Sequence, residues 1–101
     1  MKIYLQAESI ESIELLNPEI IEEAITGKPA HVILFNDEIH TFDEVINQII
    51  KAIKCSHQKA ESLTFEVHNN GKTCVYIGGM SKCLKVTAVL EEIQLMTEIQ
   101  M

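Results

Sequence analysis

Apolar residues crowd between His31 and Phe35 and stop at Asn36-Asp37-Glu38, the signature of a strand running into a polar turn. Thr41 and Glu44 follow at the spacing of a capping box. Phe42, Val45, Ile46, Ile49, Ile50 and Ile53 then recur on one helical face. Ser56 is placed to cap a second helix with Ala60, Leu63, Thr64 and Val67 on its apolar side, and Asn70-Gly71 supplies a left-handed stop. Thr73 to Ile77 is β-rich and ends at Gly78-Gly79. Ser81 is the expected cap of a third helix carrying Val86, Val89, Leu90 and Ile93, and Leu95 to Ile99 alternates as a last short strand. The order from His31 onward is βααβαβ. Three strands this short must bury one face against the helices, which predicts a small α+β two-layer sandwich: a three-stranded antiparallel sheet with three helices.

The first part of the chain reads differently. Asn17-Pro18 and Gly27-Lys28-Pro29 bracket a short helix over residues 18–26, in which Ile20, Ile21, Ala24 and Ile25 form a stripe. Residues 2–16 are acidic with scattered Ile and Leu and carry no firm assignment. The expected division is an extension over residues 1–28 and a domain over residues 29–101.

Composition narrows the function classes. An apolar share of 47% in 101 residues is ample for one core. A formal charge of −7 argues against a nucleic-acid surface, which needs clustered Lys and Arg. No run of about 18 apolar residues predicts a membrane span, and no secretory signal is visible. Cys55, Cys74 and Cys83 match no zinc or redox spacing, so they are expected to be reduced thiols in a cytoplasmic protein.

Candidate chemistry is sparse. Cys55 and His57 stand two apart, which in a helix points a nucleophile and its base in different directions. His31, His40, His57 and His68 share no i, i+4 spacing suited to a metal, and Gly78-Gly79 lacks the Lys-Ser/Thr of a phosphate loop. No enzyme activity, metal or cofactor is therefore expected. One constellation stands out: Asn36, Asp37 and Glu38, three successive carbonyl-bearing side chains at a strand end. A polar turn also uses Asn and Asp to bond its own backbone, and His68 near a helix C-terminus also suits the helix dipole.

At this point a resemblance enters. Val32-Ile33-Leu34-Phe35-Asn36-Asp37-Glu38 resembles the V-I-L-x-N-D-D segment of the ClpS family of Clp protease adaptors. Some thirty residues on, Val67-His68-Asn69-Asn70-Gly71-Lys72 is similar to that family's V-H-x-x-G-K, at the family's spacing. The resemblance covers roughly residues 29–101 and implies the same βααβαβ order. It implies an adaptor that binds N-degrons, proteins beginning with Leu, Phe, Tyr or Trp, and hands them to the N-terminal domain of a Clp AAA+ unfoldase. Asn36, Asp37 and His68 then hold the free α-amino group. Glu38 stands where the family has a second aspartate, and His40, Phe42, Val45, Thr64 and Val67 fall at positions lining the side-chain pocket. Phe42 and Thr64 replace methionines, and His40-Thr41 replaces a Thr-Pro pair. Lys85-Val86 matches a segment that contacts the unfoldase.

The chemistry suits those residue types. An α-ammonium has three N–H donors, which Asp37, Asn36 and a neutral His68 ring can accept. A monomer is expected. The alternative from another class is a protein-interaction domain of the ribosomal-stalk C-terminal type, whose helices are lysine-rich where this chain is acidic.

Overall fold

The run beginning at Ala30 forms β1 (Ala30–Phe35) in the computed structural model, which describes residues 28–101. β1 is the middle strand of three. It pairs antiparallel with β2 (Lys72–Gly78) on one edge and with β3 (Thr97–Gln100) on the other. A central strand has no solvated edge, which explains a nearly continuous apolar run rather than a clean alternation. Ala30, Val32 and Leu34 are buried on the face that meets the helices, and Ile33, on the opposite face, is buried too. Between Val32 and Ile33 the pairing slips from Tyr76 to Cys74, so Val75 is the extra residue of a β-bulge and joins the core.

The capping signals fold as local chemistry dictates. In α1 (Phe42–Ile53) the Glu44 N–H donates to Thr41 Oγ1 at 3.2 Å, and the Thr41 N–H donates to Glu44 Oε1 at 2.8 Å. In α2 (His57–Asn70) the Lys59 N–H donates to Ser56 Oγ at 3.1 Å. That helix stops at Gly71, which takes φ 87° and donates its N–H to the Val67 carbonyl at 2.8 Å.

Three expectations are corrected. The third helix, α3 (Met80–Leu90), is capped by Gly79 without a side-chain bond, so Ser81 lies inside the first turn. α3 then tightens into a 3₁₀ turn (Glu91–Ile93) closed by Gln94 in the left-handed region at φ 69°. Ile93 therefore leaves the α-helical stripe. The same turn delays the last strand to Thr97, and Leu95 is a buried core residue ahead of it. The helix expected over residues 18–26 lies outside the described residues.

The helices cover one face of the sheet, with Ile46 and Ile49 from α1, Ala60, Leu63 and Val67 from α2, and Cys83, Val86 and Leu90 from α3 in one cluster. This is the α+β sandwich expected from the element order. Cys55, Cys74 and Cys83 form no disulfide. Cys83 is fully buried and donates weakly to the Gly78 carbonyl at 3.4 Å. Gln48 is an unforeseen buried polar residue. Its amide donates to the Val89 carbonyl at 2.6 Å and to Glu92 at 3.1 Å, tying α1 to the end of α3.

Gly71 links this framework to the loop that follows β1, because its carbonyl accepts the Asn36 N–H at 2.9 Å. A Cβ there would meet nothing within 4 Å, so the cost of a side chain is backbone strain alone. Gly71→Ala is expected to destabilise the protein by about 1–2 kcal/mol, with Gly71→Asn losing less, as read by urea denaturation. Equal midpoints for Gly71→Ala and wild type would rule out that strain.

Candidate functional site

Where β1 ends, two backbone bonds fix the chain's exit: Phe35 N–H to the Met96 carbonyl at 3.0 Å, and Asn36 N–H to the Gly71 carbonyl at 2.9 Å. Asp37 then organises the turn. Its Oδ1 accepts from the Ile39 N–H at 3.1 Å and the His40 N–H at 3.0 Å, an Asx-type arrangement. Its Oδ2 lies 2.6 Å from His40 Nδ1, with 23% of the Asp37 side chain and 12% of the His40 side chain exposed. Glu38 is exposed beside them.

α1 leaves this loop at Phe42, and α2 runs past it so that its last turns present Val67 and His68. The Phe42 ring meets Phe65 edge-on at 5.0 Å and His68 edge-on at 5.1 Å. Thr64 is buried, and its hydroxyl donates to the Ala60 carbonyl at 2.8 Å. The hydroxyl that Thr64 brings in place of a methionine is thus engaged within its own helix.

These elements enclose a pocket of about 140 Å³. A cavity of about 150 Å³ accepts a benzene ring, so the space suits one large side chain. Asn36, Asp37, Glu38 and His40 line it from the loop, Phe42 and Val45 from α1, and Thr64, Val67 and His68 from α2. Every pocket residue expected from the sequence is therefore at one place. Leu34, Phe35 and Leu95 also line it, and Phe65 backs Phe42; sequence reasoning missed these four. Lys85 is elsewhere, in a groove with Lys51, Lys54 and Lys82 between α1 and α3.

Electrostatics follow from the loop geometry. Burial alone would raise the Asp37 carboxyl, but the backbone and ring N–H groups of His40 and the Ile39 N–H outweigh it and hold the group below its usual value. His40 is raised, first by its bond to Asp37, against a smaller opposing effect of burial. At neutral pH the pocket thus pairs an ionised carboxylate with a ring biased toward its cation. Among the described residues no group of three or more His, Cys, Asp or Glu side chains is arranged to hold a metal ion. No helix among them is long and apolar enough to cross a membrane.

An α+β sandwich with a small pocket, about evenly polar and apolar and lined on one side by Asn36, Asp37 and Glu38, has the form of a ligand-binding module. The sequence model of the family described as "ATP-dependent Clp protease adaptor protein ClpS" matches residues 26–98. The chain belongs to the ClpS family. It is 34% identical over 71 residues to the ATP-dependent Clp protease adapter protein ClpS of Treponema denticola, covering 66% of this chain and 70% of that one. It also matches much longer proteins. Identity is 28% over 88 residues to E3 ubiquitin-protein ligase UBR1 of Drosophila melanogaster, covering 87% of this chain. It is 32% over 73 residues to E3 ubiquitin-protein ligase UBR2 of Mus musculus, covering 72% of this chain. The chain spans only 5% and 4% of the length of those two ligases. In fold it is similar to Agrobacterium tumefaciens ClpS2 bound to L-phenylalaninamide, with a TM-score of 0.68 and 15% identity over 72% of this chain and 95% of that one.

Proposed function

We propose that the pocket binds the free N-terminus of a polypeptide whose first residue is large and apolar, and that the chain is an adaptor delivering such proteins to a Clp AAA+ unfoldase. In this reading residues 29–101 form the adaptor domain and residues 1–28 an extension. The α-ammonium sits among Asn36, Asp37 and His68 with Glu38 at the rim. The first side chain enters between His40, Phe42, Val45, Thr64 and Val67, and the exposed α3 face with Lys85 meets the unfoldase's N-terminal domain. The carrying observation is that the loop after β1 and the end of α2 converge on one pocket of single-side-chain size with an ionised carboxylate in its wall. The ligand named with the Agrobacterium ClpS2 agrees in kind, since L-phenylalaninamide has a free α-amino group, an aromatic side chain and an amide where a second residue would begin.

Magnitudes support a carrier that releases its cargo. A charge-assisted hydrogen bond contributes about 1.5–3 kcal/mol, and burying a Leu or Phe side chain contributes a similar amount. Set against an association cost of several kcal/mol, this small contact set predicts roughly micromolar affinity.

The test is a fluorescence titration with a labelled peptide beginning with Leu. Asp37→Asn keeps an oxygen for the loop's N–H groups and removes the charge, so affinity is expected to fall by about one to two decades. Circular dichroism checks that the variant is folded. A folded Asp37→Asn protein binding as tightly as wild type would remove Asp37 from the ammonium site.

A further inference from the structure

The Asp37 carboxylate is already occupied by groups of its own loop. Oδ1 takes two backbone N–H groups, and Oδ2 takes the His40 ring at 2.6 Å. The main chain of Ile93 in the 3₁₀ turn also favours the protonated ring. An ionised carboxylate accepts at 2.6 Å from the ring and stabilises its cationic form. The groups around the ring favour that cation. Glu38 neighbours Asp37 in the loop, and Asp43 and Glu44 occupy the first turn of α1. Glu91 and Glu92 on the 3₁₀ turn are engaged with Thr97 and with Gln48 and Lys51, and His68 on α2 lines the same pocket.

We propose that His40 is the resident counter-ion of the amine site: as an imidazolium it neutralises Asp37, and an incoming α-ammonium takes over that carboxylate while His40 releases its proton to solvent. The inference rests on the N-terminus-binding reading above. Two cations cannot share one half-buried carboxylate without repulsion, and His40 can shed its charge whereas a bound ammonium, held by three acceptors, cannot. The deprotonated ring still donates from Nδ1 to Asp37, so the loop keeps its shape while the pocket changes charge. By linkage, whatever factor separates peptide affinity for the neutral and protonated forms must also separate proton affinity of the free and bound forms. The sign follows. His40 is raised in the free protein, so the cationic form persists to higher pH, and peptide affinity climbs as pH rises through that range. A His40 that merely props the turn would titrate alike with and without peptide.

The experiment follows the His40 ring Cε1 resonance by NMR from pH 5.5 to 9 in the full chain, free and saturated with a peptide beginning with Leu. His40→Gln provides the assignment. The midpoint of His40 is expected to drop by about one pH unit on saturation, equivalent to a tenfold linkage, in wild type and equally in His68→Gln. Peptide affinity in His68→Gln should still rise severalfold between pH 6 and pH 8, and the double variant His40→Gln/His68→Gln should lose that rise. Binding with an unmoved His40 midpoint overturns this inference and leaves the N-terminus-binding reading standing. No binding at any pH overturns both.

Discussion

Phe42→Ala is expected to convert a pocket that refuses Val and Ile as first residues into one that accepts them. A β-branched residue carries bulk beside its Cα, and in the proposed binding mode Phe42 stands where that bulk would enter. Its ring is held by Phe65 at 5.0 Å and His68 at 5.1 Å, both edge-on, so it cannot swing aside as a flexible methionine chain would. Wild type should therefore bind peptides beginning with Leu, Phe, Tyr or Trp at least about tenfold more tightly than those beginning with Val or Ile, a gap of about 1.4 kcal/mol or more. Truncation to alanine should bring Val and Ile within a few-fold of Leu. It should also weaken Leu binding, because the ring that backs His68 is gone. Removing a half-buried ring costs stability as well, toward the low side of the roughly 3–5 kcal/mol typical of core Phe→Ala changes. A panel of peptides differing only in the first residue, run on both proteins after a thermal melt, reads all of this. Wild-type binding of Val as tight as Leu would show that Phe42 does not guard the entrance.

The elements legible in the sequence are those whose cause is local. Thr41 with Glu44, Ser56, and Gly71 announce helix ends because cap chemistry involves residues a few positions apart. Ser81 has the right chemistry and the wrong position. Gly79 leaves β2 in extended conformation, so the helix starts two residues early with a cap that has no side chain. Gln48 was invisible for the opposite reason. Its partners, Val89 and Glu92, lie more than forty positions away, and no pattern along α1 names them.

The site divides the same way. Its residues were legible as two motifs resembling one family, and β1 and α2 bring those motifs to one pocket because Asn36 bonds the very glycine that ends α2. Leu34 and Leu95 line that pocket but read in the sequence only as strand residues, since which side of a buried residue faces a cavity depends on the whole packing. The Thr64 hydroxyl bonds back to its own helix, and the sequence does not decide between that partner and one in the pocket. His40 was placed on the pocket wall by resemblance, while its bond to Asp37 depends on a turn geometry that only the folded loop defines.

The largest effect is expected from a change to the ligand rather than to the protein. Acetylating the peptide's α-amino group removes its charge, leaves one N–H where there were three, and adds bulk against Asn36 and Asp37. An ionised Asp37 would then face a neutral amide, and the acceptors around it would be left without their donors. Losing one or two charge-assisted bonds predicts a drop of about 3 kcal/mol, two or more decades in affinity. Nothing about the first side chain changes, so the pocket between Phe42, Val45, Thr64 and Val67 contributes as before and the difference isolates the amine. The decisive measurement is therefore a pair of titrations at pH 7.5 with one labelled Leu-starting peptide and its N-acetylated twin. Micromolar binding of the free peptide with at least a hundredfold weaker binding of its twin is the predicted result, and equal affinity for the two would contradict it.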